Sequence, residues 1–535
     1  MSTLRPAQTR RCYWSPRPET RHSRLPDDVL DIVFGMLAQE RARYGLHAVV
    51  ASDILQLVCR RWLGIVINRS RLWETILIHE HSSFFGFLHR LALAGDKDLY
   101  IEIQRLHPSV PSSVEHYLNF AEHLRAELDR IKTFKILGFD AQEMTTILQV
   151  FSTDAPSLED VHAEFSSSLQ PVEYIPRLFN NHMPMLRRAT VVRGLVSFTS
   201  FTHLRSLHLL DQRRLKFDVL MAVLERNPCL EDVFVRRERR SRWTFQRPFD
   251  GTVSLPHLQE LKLEGFQGDV LLGLSPLEFP TTTRVSLTLF DDSNSDVNVP
   301  QDFDSMRTTT GEMRSLDFAY KEAQDDYVLA VASPDKRVSV SWVWERDEEN
   351  HSPSGPGVLF DLVDLRKVTE LTVTELPSTV PVDYREWRRF LGLVPALQVL
   401  NIEVPGSYQA ACLSPEEDAQ DGASEPMDVD EPIIQRHFIS LCAELSTKVF
   451  MDQWDVQAAL HCQELRTLAS SYSWILSEVA LAEYAKCAQN RTLHGGLELS
   501  LGYRQEVYGP EDWDEALVGS ILDSERVENV PKSHH

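Results

Sequence analysis

The chain has 535 residues, 43% hydrophobic and 25% charged, which is long enough for two to four domains or one elongated repeat array. Its 55 Lys+Arg against 78 Asp+Glu leave a net charge of −23, which argues against generic nucleic-acid binding because phosphate contacts need a basic surface. Seven scattered cysteines without a CxxC exclude a disulfide framework or a tight structural zinc site, and no apolar run is long enough to span a membrane.

The acidity is concentrated toward the C-terminus. Residues 413–535 hold 23 acidic and 8 basic residues, a net −15, so the first 412 carry only −8. Reduced thiols fit a cytoplasmic or nuclear protein. Residues 1–24 contain six arginines and one acid, but Pro6, Pro16 and Pro18 interrupt any amphipathic helix, so the segment reads as a disordered basic arm.

Residues 25–78 follow. Val29, Ile32, Val33, Met36 and Leu37 recur at helical spacing, and Pro26 suits a first helical turn. A second apolar face follows in Ile54, Leu55, Val58, Trp62 and Ile65. Two or three short amphipathic helices bury little by themselves, so the block is expected to dock on something.

From residue 98 to 404 a repeat sets in. PSLEDVHAEF, PMLRRATVV, PCLEDVFV, PHLQELKL and PALQVLNIEV each place a proline two residues before a leucine, at Pro156, Pro184, Pro228, Pro256 and Pro395. Three are preceded by the helix-like stretches EMTTILQVF, DVLMAVLER and YREWRRFLG, so a unit reads helix, proline stop, short strand. Val161, Ala189, Leu207, Val233, Leu261, Leu287, Leu316, Leu371 and Leu400 are the expected strand centres, separated by 28, 18, 26, 28, 26, 29, 55 and 29 residues. The gap of 55 reads as two repeats, with VSVSWVW supplying the missing strand, and LYIEI and FKIL as earlier strands. The period is that of a solenoid.

Polar runs after residues 291 and 346 read as loops. Residues 414–432 hold eight acids and no basic residue, the composition of a disordered insertion. Residues 433–510 read as a mostly helical region and 511–535 as a loose acidic tail.

The 25–78 block resembles the F-box, through which adaptors join SCF (Skp–cullin–F-box) ubiquitin ligases. The matching residues are Leu25-Pro26, Val29-Leu30, Ile32-Val33-Phe34, Leu37, Val58-Cys59-Arg60-Arg61-Trp62 and Leu72-Trp73. Asp28 stands where the family usually has Glu, and the connection 38–53 is longer than usual. The resemblance implies binding of a Skp-family adaptor, and through it a cullin ligase, by Leu25, Pro26, Val29, Leu30, Ile32, Val33, Phe34, Leu37, Val58, Cys59, Trp62 and Trp73. Trp62 and Trp73 are the large anchors expected of such an interface. The plainer reading of the block is an N-terminal helical cap.

LRSLHL, LQELKL and MRSLDF resemble leucine-rich repeats, but the position that carries the family's ladder Asn or Cys reads Gln212, Phe266 and Pro405. The expected fold is therefore α/β, a helical F-box followed by an irregular leucine-rich-repeat horseshoe of short parallel strands and helices.

Motifs of catalysis are missing: there is no GxSxG, GxGxxG, Walker loop or HExxH, and no cofactor is expected. His79, His81 and His89 come nearest to a metal cluster, with strand alternation placing the first two on one face; a solvent-facing strand edge is the reading adopted. Cys59 adjoins arginines but sits on an apolar helix face, as a buried inert thiol would. Arg236, Arg237, Arg239, Arg240 and Arg242 form a basic patch open to three readings: an acidic-partner contact, an import signal or a solvated loop. Contact with residues 414–432 of the same chain is a further use.

On a horseshoe, the residues between paired apolar positions line the concave face: His162, Thr190, His208, Phe234, Lys262, Thr288, Asp317, Thr372 and Asn401. Of these, His208, Phe234, Lys262, Asp317 and Asn401 are the substrate-binding candidates, suited to a polypeptide. The expectation is a non-enzymatic substrate-recognition subunit of an SCF-type ligase. Its rival is a repeat scaffold whose F-box-like helices engage no ligase.

Overall fold

A computed structural model describes residues 25–43, 51–106, 114–166, 178–194, 201–213, 215–239, 251–290, 303–311, 313–322, 326–345, 362–363, 365–374 and 394–403, with short strands at 448–449, 459–460, 467–470 and 498–501. The chain divides into two compact units, residues 1–170 with 176–185, and residues 171–175 with 186–535. Both are mixed α/β.

The first unit opens with three helices, α1 (Asp27–Arg43), α2 (Ala51–Val58) and α3 (Arg60–Ile67). Strands and helices then alternate: β1 (Thr75–Ile78), α4 (Phe84–Ala94), β2 (Leu99–Gln104), α5 (Val114–Arg125), β3 (Ile131–Phe139), α6 (Ala141–Val150) and β4 (Asp160–Phe165). All four strands pair in parallel, each separated in sequence by a helical crossover. Ile76, Ile101, Phe134 and Val161 stand in one register row, and all four are buried. Asp140 and Glu143 close a capping box at the start of α6, which stops β3 and turns the chain. Gly138 sits at the register shift between β3 and β4: its φ is 81°, and a Cβ there would lie 2.7 Å from the Arg105 carbonyl oxygen.

The second unit is built on β5 (Arg188–Val192), β6 (Ser206–Gln212), α7 (Phe217–Arg226), β7 (Asp232–Arg237), β8 (Val253–Ser254), β9 (Glu260–Phe266), α8 (Gln267–Leu274), β10 (Leu277–Glu278), β11 (Arg284–Phe290) and α9 (Asp304–Thr310). After these come β12 (Ser315–Glu322), β13 (Asp326–Ala332), β14 (Val338–Glu345), β15 (Glu370–Thr374), β16 (Val399–Glu403), β17 (Lys448–Val449), β18 (Ala459–Leu460), β19 (Thr467–Ser470) and β20 (Glu498–Leu501). Its large sheet runs β5-β6-β7-β9-β11-β14-β13-β12-β15-β16-β19-β20 and is parallel except at β13. β8 and β10 form a parallel pair of their own, and β17 pairs antiparallel with β18.

The proline punctuation has a common physical cause in both units. Leu158, Leu230, Leu258 and Leu397 each donate a backbone N–H to the carbonyl three residues back, on Ala155, Asn227, Leu255 and Val394. Proline therefore occupies the second position of a β-turn, where its fixed φ is already correct. The flanking residues of these turns are all buried, while the next residue begins pairing: Glu159 bonds Lys132, Glu231 bonds Arg205, Gln259 bonds Glu231 and Gln398 bonds Thr369. Each turn thus pins a leucine in the core and launches a strand against its neighbour. Of the helix-like stretches before these turns, EMTTILQVF and DVLMAVLER fall on α6 and α7, and 384–392 lies outside the described residues.

All nine expected strand centres lie on strands, but the register requires two corrections. Ala189, Leu207, Val233 and Leu261 pair in succession, whereas Leu261 faces Val285 and Leu287 faces Leu263. The open-face row on β11 therefore holds Ser286 in place of Thr288. The second correction concerns VSVSWVW, which is no independent repeat. β14 pairs in parallel with β11 and antiparallel with β13, which pairs antiparallel with β12. The cause is a tight turn at Ser333-Pro334-Asp335-Lys336. Lys336 N–H donates to the Ser333 carbonyl at 2.7 Å, Asp335 accepts from the Ser333 hydroxyl and the Arg337 N–H, and Lys336 takes φ 55°.

The sheet also continues beyond residue 404, where the repeat was expected to stop. β19 pairs with β16 and β20 with β19, with Leu400, Leu468 and Leu499 in one row. The described part of 433–510 is strand, and the stretches expected to be helical lie outside the described residues, as do 1–24, 414–432 and 511–535. Among the described helices, none is long and apolar enough to cross a membrane.

Candidate functional site

The residues of the 25–78 block divide between a core and an open apolar face. Leu30 and Phe34 of α1 point inward with Leu55, Ile65 and Val66. The Phe34 ring meets half-buried Trp62 edge-on at 4.8 Å. On the opposite arc of α1, Val29, Ile32, Val33 and Met36 are exposed, Met36 by 62%, and so is Leu25 just before the helix. They recur at three- and four-residue steps, so one helix face is apolar yet in water. α2 repeats the arrangement with Ile54, Leu57 and Val58, Leu57 being 78% exposed, and Ile67 ends α3 in the same way. Nine of the thirteen large exposed hydrophobics among the described residues lie between 25 and 67. That concentration is unusual, since monomeric proteins rarely leave large apolar faces open.

Ten of the twelve expected adaptor residues therefore fall into two groups, with Trp62 half-buried between them. Leu25, Pro26, Val29, Ile32, Val33, Val58 and Cys59 are exposed and available to a partner. Leu30, Phe34 and Trp73 are not: they are 2%, 0% and 1% exposed. Trp73 was expected as an interface anchor, but its indole N–H donates to the Val66 carbonyl at 2.8 Å and Arg90 stacks over its ring at 5.5 Å. A buried indole needs such a partner, and once it has one the ring serves the core. Leu37 lies on α1, and its side chain is not among those described. Met36, Ile54, Leu57 and Ile67 join the exposed face although the resemblance does not single them out; the helical spacing in the sequence already carried the first two.

Charged residues hold the helices in place. Arg61 of α3 reaches back to the start of α1, donating to Asp27 from Nε at 2.9 Å and from Nη2, and to the Leu25 carbonyl. Arg69 pairs with Asp31 at 3.1 Å. Cys59 is exposed rather than buried: it adopts extended backbone between α2 and α3, and its sulfur accepts the Trp62 N–H as the N-cap of α3. His79 and His81 do not share a strand face, because β1 ends at Ile78 and the chain turns there, Ser82 N–H donating to the His79 carbonyl. No group of His, Cys, Asp and Glu among the described residues is arranged to hold a metal ion.

The open face of the second unit's sheet carries the row Thr190, His208, Phe234, Lys262, Ser286, Ser339, Ala332, Asp317, Thr372 and Asn401. His162 occupies the equivalent place on β4 of the first unit, opposite Lys135. Phe234 is ringed by charge: Arg236 and Lys262 each stand 5.9 Å from its ring, and the His208 ring lies 6.0 Å away. His208 Nε2 lies 2.6 Å from Asp232 Oδ2, and Ser206 Oγ donates to the same Oδ2 at 3.0 Å. Burial works against the Asp232 carboxylate, but its contacts with His208 and Ser206 outweigh that and hold the carboxyl below its usual range. The trio does not form a nucleophilic relay, because Ser206 and Asp232 address the same nitrogen of His208. Farther along, burial and the neighbouring Glu370 raise the Asp317 carboxyl.

The basic patch is largely spent within the fold. Arg236 forms a two-pronged pair with Asp211, at 2.8 and 3.2 Å. Arg237 faces the core with its side chain 2% exposed, donating to the Leu215 carbonyl and lying 3.9 Å from Asp269. Burial brings its pKa down to about 10, with Asp269 opposing the shift. Arg239 stacks over Phe290 at 4.9 Å, and Arg240 and Arg242 lie outside the described residues. Strand alternation explains the split: Arg236 and Arg237 are neighbours and must point to opposite faces of β7.

Gln212, expected at the position of a ladder Asn, uses its amide N–H groups within the sheet. It is fully buried, and its amide donates to the Val191 and Leu210 carbonyls at 2.8 and 3.2 Å. Phe266 instead precedes α8, and Pro405 lies outside the described residues.

The sequence matches no model of a known protein family, and no curated protein is significantly similar to it.

Proposed function

We propose that the chain is a substrate-recognition subunit of an SCF-type ubiquitin ligase, an F-box joined to a leucine-rich-repeat horseshoe. Helices α1–α3 bind a Skp-family adaptor, and the open sheet face, around His208, Phe234, Lys262, Asp317 and Asn401, binds a protein substrate. The observation that carries the reading is the concentration of exposed apolar side chains on α1–α3, in the segment whose LP…VL…IVF and VCRRW motifs resemble the F-box. Burying such a face at about 25 cal/mol per Å2 of apolar surface favours a stable complex. The chain itself makes and breaks no bond in this mechanism. It raises the effective concentration of a substrate beside a recruited cullin–E2 assembly.

The test is co-purification of the full chain with a Skp-family adaptor. Because Trp73 packs with Arg90 of α4, a fragment ending near residue 80 would strip the cover from its own core. The wild-type chain should form a stoichiometric complex. Val29→Glu with Leu57→Glu should abolish it, and Phe85→Glu, at a residue 82% exposed outside the face, should leave it intact. Failure of the wild-type chain to bind would favour a scaffold that engages no ligase.

A further inference from the structure

Two adjacent arginines of the VCRRW motif have different fates. Arg60 is exposed and has no ion-pair or hydrogen-bond partner among the described residues. Arg61 spans 34 to 36 residues of sequence to reach the first turn of α1, contacting Asp27 twice and the Leu25 carbonyl once. Leu25 precedes the helix, so its carbonyl lies outside the intrahelical ladder, while the Leu30 N–H donates to the Pro26 carbonyl and Arg69 pairs with Asp31 further along the helix. Leu25 and Val29, which begin the exposed apolar face, are the side chains most dependent on how that turn is held.

We propose that Arg61 is the positioning residue of the docking face. Resting on the adaptor reading above, the inference is that its clamp on Asp27 and Leu25 fixes the N-terminal end of α1 relative to α3. Leu25 and Val29 are thereby presented to a partner in one arrangement together with the exposed residues of α2. Three hydrogen bonds from one planar guanidinium define an orientation that a lysine ammonium does not reproduce. A surface ion pair of this exposure contributes little to global stability, so its effect is expected in docking rather than in folding.

The test uses the full chain and a Skp-family adaptor, with binding kinetics, thermal unfolding and amide hydrogen exchange read in parallel. Arg61→Gln and Arg61→Lys should each weaken adaptor binding about tenfold. Exchange should quicken in the first turn of α1 while β1–β4 stay protected. Arg60→Gln should bind within about twofold of wild type. The exchanged pair Asp27→Arg with Arg61→Asp should recover only the part of the affinity carried by the ion pair, since an aspartate at 61 cannot donate to the Leu25 carbonyl. Unchanged binding by Arg61→Gln, or loss of protection throughout β1–β4, would overturn the proposal. If the wild-type chain binds no adaptor, the adaptor reading falls instead, and unchanged exchange at α1 in Arg61→Gln would then dispose of the clamp as well.

Discussion

Asp232 shows how one side chain couples the open sheet face to pH. Its carboxyl is held below the usual carboxylate range in the folded chain, so between that value and the ordinary one the unfolded chain binds more protons. Its stabilising contribution is complete above the ordinary value and is lost as pH falls through the folded one. Denaturant midpoints measured between about pH 5 and pH 3 should drop less steeply for Asp232→Asn than for wild type. A second residue-scale expectation concerns Trp73. Trp73→Ala should cost about 3–5 kcal/mol in chemical unfolding, the range for a large buried ring, and the loss should appear without any adaptor present. An interface anchor would behave oppositely, with binding lost and stability kept. The sequence could not separate these roles, because an apolar Trp in an LW motif looks the same whether a partner or the chain itself covers it.

At the scale of the element, the repeated unit is a turn, a buried leucine and a strand. Asn227 illustrates how one unit is tied to the one before. Fully buried, it accepts the Leu204 N–H and donates to the Phe201 and Val223 carbonyls at 2.9 and 2.7 Å. Asn227→Ala removes all three bonds and should cost about 3 kcal/mol at roughly 1 kcal/mol each, measured by equilibrium unfolding. This level of structure was the most legible from sequence. Pro-x-Leu spacing marked the turns because proline and leucine each have a single physical task there. β19 was missed because HCQELRTLAS has the leucines of the pattern without the proline. The pairing of Leu261 with Val285 was missed because a strand of alternating apolar residues reads equally well two positions out of register.

Across the whole molecule, legibility depended on how local the signal was. The helical block, the alternation of helix and strand and the inward-facing leucines come from patterns a few residues long. The partition of α1–α3 into core and open face, the internal pairing of Arg236 and Arg237 and the reach of Arg61 to Asp27 depend on contacts between distant segments. Composition carries no trace of those. The docking experiment is the corresponding prediction at this scale, since it asks whether the nine exposed apolar residues of 25–67 act as one surface.

The β13–β14 hairpin has a consequence for how this sheet can change. β12 lies beside β15 and β14 beside β11, so the chain enters the insertion at one side and leaves it facing the same way. Two extra strands preserve direction; one would invert every later strand. Without residues 323–345, β12 could pair with β11 directly, and the gap from Leu316 to Leu371 would shrink to nearly one ordinary repeat. A chain lacking that segment should therefore keep a cooperative unfolding transition, whereas one lacking only 323–332 should not, as circular dichroism during thermal unfolding would tell. Parity, more than length, governs which segments this architecture can gain or lose.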